Sequence, residues 1–246
     1  MRLPRFYVDQ AIADGLVLEL PVGAAQHAVR VLRLGVGDDL VLFNGDGRDY
    51  PARIVLSTRQ KTTVQVTGSA PNRCQARLPI TLIQAIARGE RMDLILQKAT
   101  ELGVYSIIPV ASDRSEVRLE GERAKRRMDH WRQVIASACE QCGCSRLPPI
   151  SAPRPLAQAL TELVPAGTGE WRFCLHPEAG RNLAAISDPD ALVIAVGPEG
   201  GYSERDLALF DAAGFQRLRL GPRVLRTETA GPAAIAAVQA RFGDFV

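Results

Sequence analysis

The sequence predicts an α/β domain with a mostly parallel sheet, preceded by a small β-rich domain. Three observations predict it. Short Thr- and Val-containing runs alternate with Gly-rich turns over the first 70 or so residues. After Arg77, apolar runs alternate with amphipathic helical patterns. Between the two lies Gly68–Gln75 (GSAPNRCQ), a polar segment with Pro71 and Asn72 that reads as a linker. The expected boundaries are 1–70 for the β domain, 71–77 for the linker and 78–246 for the α/β domain. At 246 residues the chain exceeds one average domain, and its 46% apolar content suffices for real cores.

In the β domain, Leu16–Leu20 and Asp39–Phe43 are expected strands. Asn44-Gly-Asp-Gly47 is strong turn chemistry. Tyr50–Leu56 and Thr62–Thr67 follow as strands, and Gln26–Arg33 fits a short helix with Val29 and Leu32 on one side. Several short strands with Gly-rich turns favour a small barrel.

In the α/β domain, Leu78–Ala85, Ser106–Val110, Trp171–Leu175, Leu192–Val196 and Phe215–Leu220 are the strands. Helices are expected over Glu90–Leu102, with Gly103 at its C′ position, and over Arg123–Gln141. Ser203 and Asp206 form a capping-box pattern that opens a helix ended by Gly214. Thr229–Arg241 is an Ala-rich helix, with Pro232 tolerable in its first turn.

The net charge is only +3, but 27 of the 30 basic residues are Arg. Arg presents a planar fork of donors suited to phosphates and base edges. A GC-rich codon bias is the leading account of the excess, and it leaves some of these Arg residues able to bind RNA. Met1–Gln10 lacks the apolar core and cleavage site of a signal peptide, and no apolar run approaches the ~20 residues that span a bilayer. A cytoplasmic protein without membrane contact is expected. Cys139, Cys142 and Cys144 have a metal-like spacing, but only Cys174, His176 or His130 offers to complete a set. Free thiols and no metal are expected.

Two strand ends carry unusual loops: Val196-Gly-Pro-Glu-Gly-Gly-Tyr202, and Leu220-Gly-Pro-Arg-Val-Leu-Arg-Thr-Glu-Thr-Ala230. Ligands of open α/β sheets bind at the carboxyl ends of strands. Glycines let a backbone approach a ligand closely, and Pro198 and Pro222 stiffen the loops. The dinucleotide fingerprint does not match this spacing, and no phosphate loop ending in Gly-Lys-Ser/Thr is present.

These loops, together with Gly89-Glu-Arg-Met-Asp93, Gln97–Gly103, Asp113-Arg-Ser115, Glu140-Gln141 and His176-Pro-Glu178, resemble the RsmE family. These are SPOUT-class methyltransferases that act on uridine N3 in the 16S RNA of the small ribosomal subunit. The likeness runs through the whole chain and includes Pro4-Arg-Phe6 and His27. It departs at Cys142-Gly-Cys-Ser145, where a Gly-Arg pattern is expected; Arg146 is the nearest substitute.

The resemblance implies a PUA-like β-barrel that binds RNA and a SPOUT domain whose C-terminal chain forms a trefoil knot. Periodicity alone predicts an unknotted, flavodoxin-like sheet. It also implies a homodimer with shared active sites. It implies S-adenosylmethionine as cofactor, leaving as S-adenosylhomocysteine, and ribosomal RNA in an assembled or nearly assembled small subunit as substrate. The residues implied to hold the cofactor are Leu175, His176, Val196, Gly197, Pro198, Glu199, Gly200, Gly201, Leu220, Gly221, Val224, Leu225, Arg226 and Thr229.

Uracil N3 carries a proton, so a base or an anion-stabilising group is needed. Arg226 and Glu228 are the candidates for this chemistry; an architectural ion pair is the competing account. Arg2, Arg5, Arg30, Arg33, Arg114, Arg126 and Arg127 are candidate RNA contacts, with a solvated mixed-charge surface as the alternative. A ribose 2′-O-methyltransferase and a non-catalytic assembly factor are the rival functions.

Overall fold

The computed structural model describes residues 3–58, 61–117 and 119–245. Arg2 lies outside them. The chain divides into two compact units, Met1–Gln75 with Ala136–Leu147, and Ala76–Ile135 with Pro148–Val246.

The first unit contains β1 (Arg5–Tyr7), β2 (Val17–Glu19), α1 (Val22–Gln26), β3 (Asp39–Phe43), β4 (Arg48–Ser57), β5 (Thr62–Val66) and β6 (Ala70–Pro71). The strand order is β1-β3-β4-β5-β2, with β6 paired to β4. β1 runs parallel to β3 and the remaining pairs are antiparallel. Side chains alternate as a pleated strand requires. Tyr50, Ala52 and Ile54 of β4 point inward, as do Thr62, Val64 and Val66 of β5. All of these but Thr62 close one core with Phe6, Leu18, Leu40 and Leu42. α1 starts four residues before the expected helix and passes into a π-helical turn, His27–Val31.

In this unit Arg5 is not the free RNA contact expected. It donates two hydrogen bonds to Asp49, at 2.8 and 3.2 Å, and one to Ser145 Oγ at 2.6 Å. Its guanidinium also lies 5.3 Å from the Phe43 ring centre. Only 7% of its side chain meets solvent. Asp49 further accepts from Ser145 and Asn72. Burial alone would raise the Asp49 pKa; the hydrogen bonds from Arg5, Ser145 and Asn72 and the Arg5 charge outweigh it and hold the carboxyl below its usual range. Arg30 and Arg33 are exposed as an RNA contact requires.

The second unit contains β7 (Ile80–Ala85), α2 (Glu90–Glu101), β8 (Ser106–Ala111), α3 (Gly121–Cys142, its last turns in the first unit), β9 (Arg154–Pro155), α4 (Leu156–Thr161), β10 (Glu170–Leu175), β11 (Ala191–Val196), α5 (Glu204–Ala212), β12 (Gln216–Leu218) and α6 (Thr227–Phe242). The strand order is β12-β10-β11-β7-β8-β9, with every pair parallel. This is the parallel α/β sheet that the alternating pattern predicts. The inner strands are nearly continuous apolar runs because helices cover them.

Local signals explain the helix ends. α2 buries Met92, Ile95, Leu96 and Ala99. It stops at Gly103, whose φ of +81° suits glycine and where a Cβ would sit 2.7 Å from Ala76 Cβ. α5 opens on the expected reciprocal bonds of Ser203 and Asp206. α6 begins at Thr227, two residues earlier than the pattern suggests. Pro232 is therefore its sixth residue, beyond the first turn, and offers no N–H to the Glu228 carbonyl. After β12 at the sheet edge the chain turns back, and α6 packs on α2, β11 and β7. Gly231 lies at that interface, where a Cβ would be in contact with Gln84 Oε1 at 3.4 Å and with Val196 at 3.6 Å. Among the described residues no helix is long and apolar enough to cross a membrane.

Candidate active site

The carboxyl ends of β12, β10 and β11 are neighbours in the sheet. The loops leaving them enclose a cavity of about 690 Å³, within the range that holds a small-molecule cofactor. Leu175, Val196, Leu218, Leu220 and Leu225 give it apolar walls. Arg91, Arg114, Arg219, Arg223 and Arg226 add cationic groups, and Glu199 and Glu228 add carboxylates.

The loop after β11 is held at each residue from Gly197 to Gly200. The Gly197 carbonyl accepts from Thr227 Oγ1 at 2.7 Å. The Pro198 carbonyl accepts from Gly201 N at 2.9 Å, closing a turn. The Glu199 carboxylate accepts from Arg91 at 2.8 Å and from Arg88 N at 3.4 Å. The Gly200 carbonyl accepts from Arg114 at 2.9 Å. One glycine is required here: Gly201 has φ +68°. Burial is the largest single influence on Glu199 and would raise its pKa. Its own N–H, Arg91 and Arg88 outweigh that, and the carboxyl sits below its usual range.

Glu228 opens the first turn of α6 with its side chain only 15% exposed. Arg91 approaches one carboxylate oxygen at 3.9 Å and Arg226 at 4.0 Å. The other oxygen, Oε2, is buried without a hydrogen-bond partner. A buried carboxylate oxygen without a partner is costly. Arg226 is 80% exposed, so the pair is not the enclosed ion pair of the architectural account.

Of the residues implied to hold a cofactor, all but Thr229 line this cavity. Thr229 is exposed, because the earlier start of α6 puts Thr227 at the wall and turns Thr229 outward. His176 lines the cavity beside Leu175, with its Nδ1 accepting from Glu178 N at 3.2 Å. Sequence reasoning did not assign Arg91, Tyr202, Leu218, Arg219, Arg223 or Thr227 to the cavity. Arg91 and Arg114 come from segments more than 80 residues away in the chain, which no local pattern announces. Arg126 is exposed and Arg127 half-buried on α3.

Cys74, Cys139, Cys144 and Cys174 are free thiols. Burial pushes Cys174 up to about 11, leaving a neutral thiol. No group of three or more His, Cys, Asp or Glu among the described residues is placed to hold a metal ion.

Residues 74–239 match the RNA methyltransferase domain family, and residues 21–67 match the RNA methyltransferase PUA domain. The chain belongs to the RNA methyltransferase family. The ribosomal RNA small subunit methyltransferase E of Mycobacterium bovis is 34% identical over 241 residues, spanning 95% of this chain and 90% of that relative. The enzyme of the same name from Neisseria gonorrhoeae, solved bound to S-adenosyl methionine, is 36% identical with a TM-score of 0.90 over the full length of both chains. A Legionella pneumophila methyltransferase solved with the cofactor SAM is also 36% identical, with a TM-score of 0.93 over 99% of this chain and 100% of that one. The expected SPOUT-type α/β domain with a PUA-like N-terminal domain is thus the fold of this RNA methyltransferase.

Proposed function

We propose that this protein transfers the methyl group of S-adenosylmethionine to N3 of a uridine in the 16S RNA of the small ribosomal subunit. The observation that carries this is the cavity at three adjacent parallel strand ends, lined by Glu228 and by an exposed Arg226 two residues before it. The residues fit the cofactor: glycine-rich backbone and apolar side chains suit an adenosine, and Glu199, Glu228 and the arginines suit its charged end. Bound there, the cofactor supplies an electrophilic methyl group on a sulfonium.

Gly197–Gly201, Leu220–Leu225, Leu175 and His176 hold the cofactor. Catalysis is chiefly alignment of the nucleophile with the methyl carbon and sulfur. Glu228 accepts the N3 proton, Arg226 stabilises the negative charge on the uracil oxygens, and the N–C bond forms as the C–S bond breaks. Because N3 lies on the Watson–Crick edge, the target base is unpaired or flipped out. Arg114, Arg219 and Arg223 at the cavity, with Arg30, Arg33, Arg126 and Arg127 elsewhere, contact the RNA phosphates. The protein works in the cytoplasm as a homodimer with active sites shared between subunits, and the return of the chain into α6 forms a trefoil knot. The return of α6 from the sheet edge to β11 and β7 supports the last reading.

The test compares ribosomal RNA from cells with and without the protein, digested to nucleosides and read by mass spectrometry. Loss of N3-methyluridine is expected. Loss of a 2′-O-methylated nucleoside instead, or of none, overturns the assignment.

A further inference from the structure

Gln84, the penultimate residue of β7, lies directly opposite Val196, the last residue of β11, and is fully buried. Its side-chain amide donates to the Ala85 carbonyl at 3.0 Å and to Thr227 Oγ1 at 3.1 Å. Thr227 Oγ1 in turn donates to the Gly197 carbonyl at 2.7 Å. The chemistry of the groups fixes the direction of this string. A carbonyl oxygen only accepts, so the single hydroxyl hydrogen of Thr227 goes to Gly197. The hydroxyl oxygen is then left to accept, and the donor facing it is the Gln84 NH₂. Ala85 also only accepts, so both Gln84 N–H groups are committed and the amide cannot be flipped without losing both bonds. Gln84 Oε1 is left buried without a partner, the cost of keeping this orientation.

The far end of the string is a peptide unit with one hydrogen-bonding group. Gly197 is followed by Pro198, so the peptide joining them has no N–H and its carbonyl is the only handle on its plane. Gly197 itself imposes little steric preference. Thr227 therefore sets the plane at the root of the turn that lines the cavity, and Gln84 sets Thr227. Gln84 lies within the central parallel strand β7, and Gly197 directly follows the central strand β11.

On the reading that the cavity holds S-adenosylmethionine, we infer that Gln84 and Thr227 are positioning residues that act through the Gly197 carbonyl, orienting the 197–201 turn for the cofactor before it binds. Their effect falls on cofactor affinity more than on the chemical step, because the turn is preorganised rather than reactive.

The experiment is calorimetric titration of the full chain with S-adenosylhomocysteine, alongside cofactor KM and kcat and the melting temperature of the unliganded protein. The variants are Thr227→Val, Thr227→Ser, Gln84→Met and the double variant Gln84→Met/Thr227→Val. Thr227→Val removes the hydroxyl at constant shape and is expected to weaken binding about tenfold, with KM rising more than kcat falls. Thr227→Ser restores the hydroxyl and stays within about twofold of the parent. Gln84→Met keeps the volume, loses the donor and costs about threefold. Because the two residues act in series, the double variant binds no more weakly than Thr227→Val. Parental affinity in Thr227→Val, equal losses in Thr227→Ser and Thr227→Val, or additive losses in the double variant each overturn the inference. A variant that melts well below the parent yet binds with parental affinity overturns it too, since the string is then only structural. A parent chain that binds neither S-adenosylmethionine nor S-adenosylhomocysteine overturns the functional reading and the inference together, whereas a parent that binds normally beside variants that also bind normally overturns the inference alone.

Discussion

Arg91 donates to the Glu199 carboxylate across 2.8 Å, so the first turn of α2 and the turn after β11 are joined by one guanidinium. The same side chain comes within 3.9 Å of Glu228. Arg91 thus stands between a residue of the loop proposed to hold the cofactor and the carboxylate proposed to take the proton.

Replacing Arg91 with Ala releases Glu199 from its anchor. The bridge is part-exposed, so the expected loss is modest, up to about fivefold in cofactor affinity, and smaller at high salt. Titrations at two ionic strengths check this. A salt-independent loss would show that Arg91 acts through packing rather than charge.

Arg226→Ala and Glu228→Gln are expected to retain cofactor binding within a few-fold and to lower kcat by about 10²-fold or more. Single-turnover methylation with saturating cofactor and RNA measures it. Full turnover in either variant removes that residue from the chemistry.

Arg219 and Arg223 line the cavity without an ion-pair partner among the described residues. Arg223→Ala should weaken RNA binding and reduce the slope of log K against log salt by about one, while leaving nucleoside specificity intact. Arg126→Ala with Arg127→Ala should do the same. Arg5→Ala should differ in kind: with Asp49 left without its partner, the first unit loses stability and the salt slope of RNA binding changes little.

Asp49 gives a pH-dependent test. Its folded pKa lies below the unfolded value, so its contribution is present above the unfolded pKa and lost as pH falls through the folded one. Asp49→Asn should melt lower than the parent at pH 7, with the gap narrowing as the pH drops below about 4. Melting curves over pH 2–7 decide it; a constant gap would mean that the carboxylate charge contributes nothing. Glu140 runs the opposite way. Burial, its largest influence, raises its pKa in spite of the hydrogen bond from Tyr7 N. Its stabilising share is therefore lost as pH rises, and Glu140→Gln should stabilise at pH 7.

Strong local chemistry was legible from residues alone. The Ser203–Asp206 capping box, Gly103 at the end of α2 and the two glycine–proline loops all lie where their residue types demand. Short elements with distant partners were not. β1 is three residues long and pairs in parallel with β3, more than 30 residues on, and α4 is too short to show a period. The Arg5 assignment failed for the same reason, since its partner Asp49 is 44 positions away. Thr227 was passed over for Thr229 because two threonines one residue apart look alike until the first helical turn assigns one to the wall and the other to solvent.

The first unit is assembled from two stretches of sequence, Met1–Gln75 and Ala136–Leu147. A gene fragment that stops at Gln75 leaves the Tyr7 N–H without the Glu140 acceptor and Arg5 and Asp49 without Ser145. The PUA-like portion is therefore not a cassette that recombination can move with one crossover. Each exchange of it between relatives must carry the distant tail of α3 as well.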